Sequence, residues 1–124
     1  MARAQDRAKR KVSGGIYQRP TKKLSRLARD PAYTKLGEKK VKVVRERSGI
    51  RKTLLLSMNK VNVFNQKTKK FQSTEIKTVV DNPANRHFIR RNIITKGTIV
   101  ETPLGKVKIT SRPGQVGTLN GILV

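Results

Sequence analysis

The sequence predicts an all-β fold, a small antiparallel β-barrel of about six or seven short strands preceded by a basic, extended N-terminal arm. Three observations carry that reading. From Val41 onward, β-branched and aliphatic residues recur with a period of two, the spacing that gives a strand one apolar face. Gly, Pro, Asn and Asp cluster between these runs, where a chain reversal needs them. Before residue 41 the apolar residues stand singly between charges (Val12, Ile16, Leu24, Leu27, Leu36), too few to offset the entropy of ordering that backbone. The expected division is therefore residues 1–40 as an extension disordered until bound, and 41–124 as the body. Closure into a barrel is expected because so small a sheet has few residues with which to protect its edges.

Taken in order, Arg3 to Val12 is compatible with helix and breaks at Ser13-Gly14-Gly15 and again at Pro20. The two glycines either let the backbone press closely on a phosphate or form a plain linker. Lys22 to Arg29 has Leu24, Leu27 and Ala28 at helical spacing, enough for two turns that would need a surface to lie on. Asp30-Pro31 stops it, because the residue before proline is pushed out of the helical region. Val41, Val43 and Val44 among Lys42, Arg45 and Arg47 predict a strand with one apolar and one cationic face, closed by Ser48-Gly49. Thr53–Ser57 reads as a strand buried on both faces, and Val61–Phe64 as one that alternates. Asn65–Lys70 is a polar hairpin loop, and Phe71–Val80 a returning strand with Ile76, Val79 and Val80 in the core. Asp81–Asn85 is a turn, with Pro83 closing the strand. Arg86–Arg91 reads equally as a helical turn or an irregular loop. Thr98–Glu101, Lys106–Thr110 and Thr118–Val124 complete the strands, separated by Pro103-Leu104-Gly105 and by Arg112–Gly117.

Charge bounds the function. The chain has 124 residues, with 30 Lys and Arg against seven Asp and Glu, a net charge of +23. Residues 1–52 hold 18 of these basic residues and four acids, a net of +14, and residues 53–124 hold 12 and three, a net of +9. Self-repulsion at this density opposes compaction, so the charge answers to a polyanionic partner rather than to folding. Nucleic acid is that partner by default, since each phosphate met by Lys or Arg releases condensed counterions. There is no cysteine, which removes disulfides, thiolate metal sites and cysteine nucleophiles. His87 is the single histidine, set between Arg86 and Phe88, and the carboxylates are scattered with no dyad spacing. Ser13-Gly14-Gly15 lacks the strand, helix and Lys-Ser/Thr pair of a nucleotide-binding loop. The sequence therefore predicts no enzyme, no metal, no cofactor and no small-molecule substrate. No apolar run approaches the roughly 18 residues of a membrane span, and the start has no apolar signal core, so an intracellular protein away from membranes is expected.

The basic residues fall into four groups, and these supply the candidate RNA contacts. The first is Arg7, Lys9, Arg10 and Lys11, with Arg3 before it and Gly14, Gly15 and Arg19 after it. The second is Lys22, Lys23, Arg26 and Arg29. The third is Lys39, Lys40, Arg45, Arg47, Arg51 and Lys52. The fourth is Arg86, Arg90, Arg91 and Lys96, with Arg112 standing further on. Aromatics number five (Tyr17, Tyr33, Phe64, Phe71, Phe88), too few for a protein that reads single strands by stacking. Recognition is expected to rest on phosphates, 2′-hydroxyls and the shape of folded RNA.

Five segments also carry a resemblance. Lys11-Val12-Ser13-Gly14-Gly15, Thr34-Lys35-Leu36-Gly37, Val80-Asp81-Asn82-Pro83-Ala84-Asn85, Arg91-Asn92-Ile93-Ile94-Thr95-Lys96-Gly97 and Thr110-Ser111-Arg112-Pro113-Gly114-Gln115 stand in an order that resembles the archaeal form of ribosomal protein S-eight-e. That family belongs to the small subunit of archaea and eukaryotes. The long insertion of eukaryotic members is absent after Ser57. The resemblance implies a structural constituent of the small ribosomal subunit, in the cytoplasm, whose partners are small-subunit ribosomal RNA and neighbouring ribosomal proteins. It implies a small β-barrel with an N-terminal extension threaded into RNA, and it singles out Lys11, Gly14, Gly15, Arg45, Arg47, Arg90, Arg91 and Lys96 as contacts. A ribosome-assembly factor of the same fold is the alternative, and a non-ribosomal nucleic-acid-compacting protein a further one.

Overall fold

The computed structural model describes residues 9–17, 29–46 and 48–124. The chain divides into two units, Met1–Pro31 and Ala32–Val124. The second unit thus begins at Ala32 rather than at Val41, because Thr34 is buried and Lys35 is hydrogen-bonded into the body.

In the first unit, residues 9–17 form a tight hairpin. Arg10 bridges Ile16 in antiparallel fashion, and the Lys11 amide donates to the Gly15 carbonyl at 2.7 Å. Gly14 takes φ +82°, a left-handed conformation at the tip that a side chain would resist. The glycine pair thus forms the turn of this hairpin. The helix expected over Lys22–Arg29 lies outside the described residues except for Arg29.

Eight strands and one helical turn form among the described residues of the second unit: β1 Lys40–Arg45, β2 Arg51–Ser57, β3 Lys60–Asn65, β4 Lys70–Glu75, β5 Thr78–Asp81, α1 His87–Arg90, β6 Ile99–Thr102, β7 Gly105–Ile109 and β8 Asn120–Leu123. They make a two-stranded ribbon, β1-β2, and a six-stranded sheet in the order β4-β3-β8-β7-β6-β5. The fold is nearly all β, as the period-two pattern required. The antiparallel expectation fails at one pair: β8 lies parallel to β3, with Val63 opposite Gly121. The loop that follows β7 delivers β8 between β3 and β7, where one edge meets β3 and the other pairs antiparallel with β7. Gly121 sits at this crowded centre, and a Cβ there would press on the Val107 side chain and lie 3.0 Å from the Lys108 carbonyl oxygen.

The expected strand over Phe71–Val80 is two strands. The chain turns at Ile76–Lys77, where the Ile76 amide donates to the Asn59 carbonyl at 2.8 Å and the Lys77 amide to the Glu101 carbonyl at 2.9 Å. β4 and β5 are consecutive in sequence yet occupy opposite edges of the sheet order, so the sheet curls round at this corner. Its inner face carries the core, including Val61, Val63, Ile76, Val79, Val100, Val107, Ile109 and Leu119. Val79 is buried and Val80 exposed, so only one of that pair joins the core. Alternation decides it, since neighbours on a strand point to opposite faces.

The ribbon departs further from expectation. Val41 and Val43 are exposed rather than core, and β2 buries only Leu55, with Leu56 exposed. The sequence pattern places both strands in one closed sheet. They instead form a separate two-stranded sheet, tied to the rest of the unit through Lys35, Pro113 and the buried Leu55.

Candidate nucleic-acid interface

The ribbon is a cationic element. Residues 39–52 hold seven basic residues and one acid, Glu46. Lys39, Lys40, Arg45, Arg51 and Lys52 are all exposed. The register sets Arg45 directly opposite Arg51, a like-charge pair that costs a hairpin stability unless an anion sits between or beside the two. Glu46 lies 3.7 Å from Lys52, which also donates to Gln115 at 3.5 Å. Arg112 is exposed beside this ribbon, next to Pro113, whose carbonyl accepts from the Leu55 amide at 3.0 Å.

A second group forms around α1. Asn85 opens the turn, its Oδ1 accepting from the His87 amide at 2.9 Å, and the Phe88 ring packs edge-on against Tyr33 at 5.8 Å. Arg86, Arg90, Arg91 and Lys96 are exposed, and residues 86–96 contain no acid. Buried Asn82 fixes their frame. Its Nδ2 donates to the Ile93 carbonyl at 3.1 Å, and its Oδ1 accepts from the Ala84 amide and the Thr95 hydroxyl, both at 3.0 Å. Thr98 extends this network, its hydroxyl accepting from the Thr95 amide at 2.9 Å. The segments Asp81–Asn85 and Arg91–Gly97 are therefore locked together by one side chain, and the arginines stand on the locked loop.

The two groups are joined by Thr34–Leu36. On one edge the Lys35 amide donates to the Leu56 carbonyl at 2.9 Å, the Met58 amide to the Lys35 carbonyl at 3.1 Å, and the Thr34 hydroxyl to the Leu55 carbonyl at 2.7 Å. On the other edge the Leu36 amide donates to the Asn92 carbonyl at 3.1 Å and the Ile94 amide to the Thr34 carbonyl at 2.8 Å. Three residues of extended backbone thus hold the base of the ribbon against the exit of α1. Lys35 lies exposed between the two groups. Sequence reasoning missed it because it stands alone, outside any run of basic residues.

The remaining candidates are not gathered here. Lys9, Arg10, Lys11, Gly14, Gly15 and Arg29 belong to the first unit, where all are exposed, Arg10 donates to the Gly14 carbonyl at 3.2 Å and the Lys11 ammonium lies 5.5 Å from the centre of the Tyr17 ring. Arg3, Arg7, Arg19, Lys22, Lys23, Arg26 and Arg47 lie outside the described residues. Among the described residues no three His, Cys, Asp or Glu side chains group to hold a metal, and no helix is long and apolar enough to cross a membrane.

Three relatives and one family profile place the chain. It is 47% identical to the small ribosomal subunit protein eS8 of Methanobrevibacter smithii over the whole of both chains. With the protein of the same name from Nanoarchaeum equitans it shares 48% identity over 97% of this chain and 95% of that one, and with that of Methanosarcina barkeri 45% over 98% of each. The profile described as Ribosomal protein S8e matches residues 4–124. With the arm, the ribbon and the locked loop all inside that match, the chain belongs to the ribosomal protein S8e family, one of structural ribosomal proteins and not of enzymes.

Proposed function

We propose that this protein is a structural constituent of the cytoplasmic small ribosomal subunit, where it binds and stabilises folded ribosomal RNA through its basic residues and abuts neighbouring ribosomal proteins. One observation carries the reading: two acid-poor cationic groups, residues 39–52 and 86–96, are held on either side of Thr34–Leu36 by backbone hydrogen bonds. Surface charges fixed at that spacing are suited to two stretches of phosphate backbone, whose position they set without reading bases. The six-stranded sheet acts as a barrel closed at the Ile76–Lys77 corner, the rigid body on which these groups are mounted. Residues 1–31 form the extension that becomes ordered along RNA, and they include the Lys9–Tyr17 hairpin.

The test is the salt dependence of binding to a small-subunit ribosomal RNA transcript. With about six to ten phosphates neutralised, affinity falls by roughly 10³ to 10⁵ between about 50 and 200 mM salt. A nearly flat dependence overturns the reading. Retention on mature subunits through a high-salt wash separates a resident protein from an assembly factor, which would be lost, and equal affinity for duplex DNA would point to general compaction.

A further inference from the structure

One exposed feature lies away from both cationic groups. Phe71, the second residue of β4, is 76% exposed, although it is among the largest apolar side chains in the molecule. It stands opposite Phe64 of β3, with ring centres 4.8 Å apart, so a neighbouring aromatic already fixes the ring. Phe64 in turn stands beside Ile122 of β8, half-buried on the same outer face. Beside Phe71 the β3–β4 turn carries Lys67, Lys69 and Lys70, all exposed, and no acid occurs between residues 61 and 74. The turn is built to hold these lysines outward. Asn65 Oδ1 accepts from the Lys67 amide at 3.0 Å, and Lys69 occupies φ +53°, a left-handed conformation that glycine adopts more easily.

We infer that Phe71 is a stacking platform for an unpaired nucleobase of ribosomal RNA, with Lys67, Lys69 and Lys70 holding the adjoining phosphates. The inference rests on the ribosomal reading above and adds a contact that phosphate binding alone does not require. An apolar protein partner fits the site less well. Three lysines without acids would have to lose water at its rim, whereas beside RNA the same lysines release counterions. A base, unlike an aliphatic side chain, also gains from an aromatic face whatever its identity.

The experiment compares the full-length protein with Phe71 variants on a small-subunit ribosomal RNA transcript. Phe71→Ala lowers affinity about 5- to 150-fold while leaving the salt slope unchanged, because no phosphate contact is lost. Phe71→Tyr retains affinity and Phe71→Leu loses nearly as much as alanine. The chain has no tryptophan, so Phe71→Trp supplies a single reporter whose emission is quenched when a base stacks on it. Unfolding midpoints close to wild type show that each variant is folded, as the exposure of Phe71 predicts. Wild-type affinity in Phe71→Ala, full retention in Phe71→Leu, or a blue shift of Phe71→Trp without quenching in assembled subunits overturns the inference and leaves the ribosomal reading standing. Failure of the wild-type chain to bind the transcript overturns both.

Discussion

The six-stranded sheet and the β1-β2 ribbon are both rich in basic residues, and they place those residues in opposite ways. In the sheet, Lys60 stands across from Glu75 and Lys106 across from Glu101, while Lys70 and Lys108 face the uncharged Asn65, Ile99 and Ile122. In the ribbon, Arg45 stands across from Arg51 and Val44 across from Lys52. Opposite-charge pairs across strands stabilise a sheet by tenths of a kcal/mol, about what a like-charge pair costs. The sheet therefore sets two of its lysines against acids, whereas the ribbon sets two arginines against each other. The position of the few acids marks the interface more sharply than the position of the many bases.

The largest effect expected is removal of the first unit. Deleting residues 1–31 takes away ten basic residues and two acids, a net of +8. The slope of log affinity against log salt should fall by several units, to a limit of about seven if every net charge meets a phosphate. Thermal unfolding of residues 32–124 should stay nearly unchanged, and its collapse would show that the arm belongs to the core.

Next is the lock on the α1 loop. Asn82→Ala leaves the Ile93 carbonyl and Ala84 amide without their partner and should destabilise the body by about 2–4 kcal/mol. That corresponds to a drop of roughly 10–25 °C in melting temperature for a unit of this size. Affinity for RNA should fall with it even under conditions where the variant is folded, because Arg86 to Lys96 lose their frame. A variant with native affinity would mean that these four cations need no fixed loop.

The smallest effects divide the two regions most directly. Arg45→Ala with Arg51→Ala should lower the salt slope by about two while raising stability by roughly 0.2–1 kcal/mol, as the like-charge pair is removed. Lys60→Ala with Lys106→Ala should do the reverse, leaving the slope alone and lowering stability by no more than about 1 kcal/mol. The same response from both pairs would abolish the distinction between lysines set against acids and arginines set against each other.

Local pattern made much of this legible. The alternation of Val61 and Val63 with Lys60 and Asn62 predicted β3 and its buried face, and the turn formers between strands predicted most of the strand ends. What stayed hidden is non-local. Nothing in residues 71–80 says that Ile76 and Lys77 divide two strands on opposite edges, and nothing in Asn120–Leu123 says that it runs parallel to β3. Val41 and Val43 carry a core pattern, and only the separation of the ribbon leaves them in water. At the interface, runs of basic residues found the two groups, while Asn82 was noticed only as a turn former. Its role depends on Ile93 and Thr95, partners that a turn signal does not identify. Phe71 was read as the first residue of a strand, because exposure on the outer face of a curled sheet is decided by register.

The Thr34–Leu36 segment gives the protein the character of a gauge. Two cationic groups joined through backbone hydrogen bonds have little freedom to adjust their separation, so under the proposed function they would act as one bivalent ligand with a fixed span. An RNA fold that presents both of its phosphate tracks at that span gains the second contact at high effective concentration. A misfolded RNA that presents only one gains the first alone. The difference between them would be a selection among RNA conformations made through the spacing of phosphate contacts.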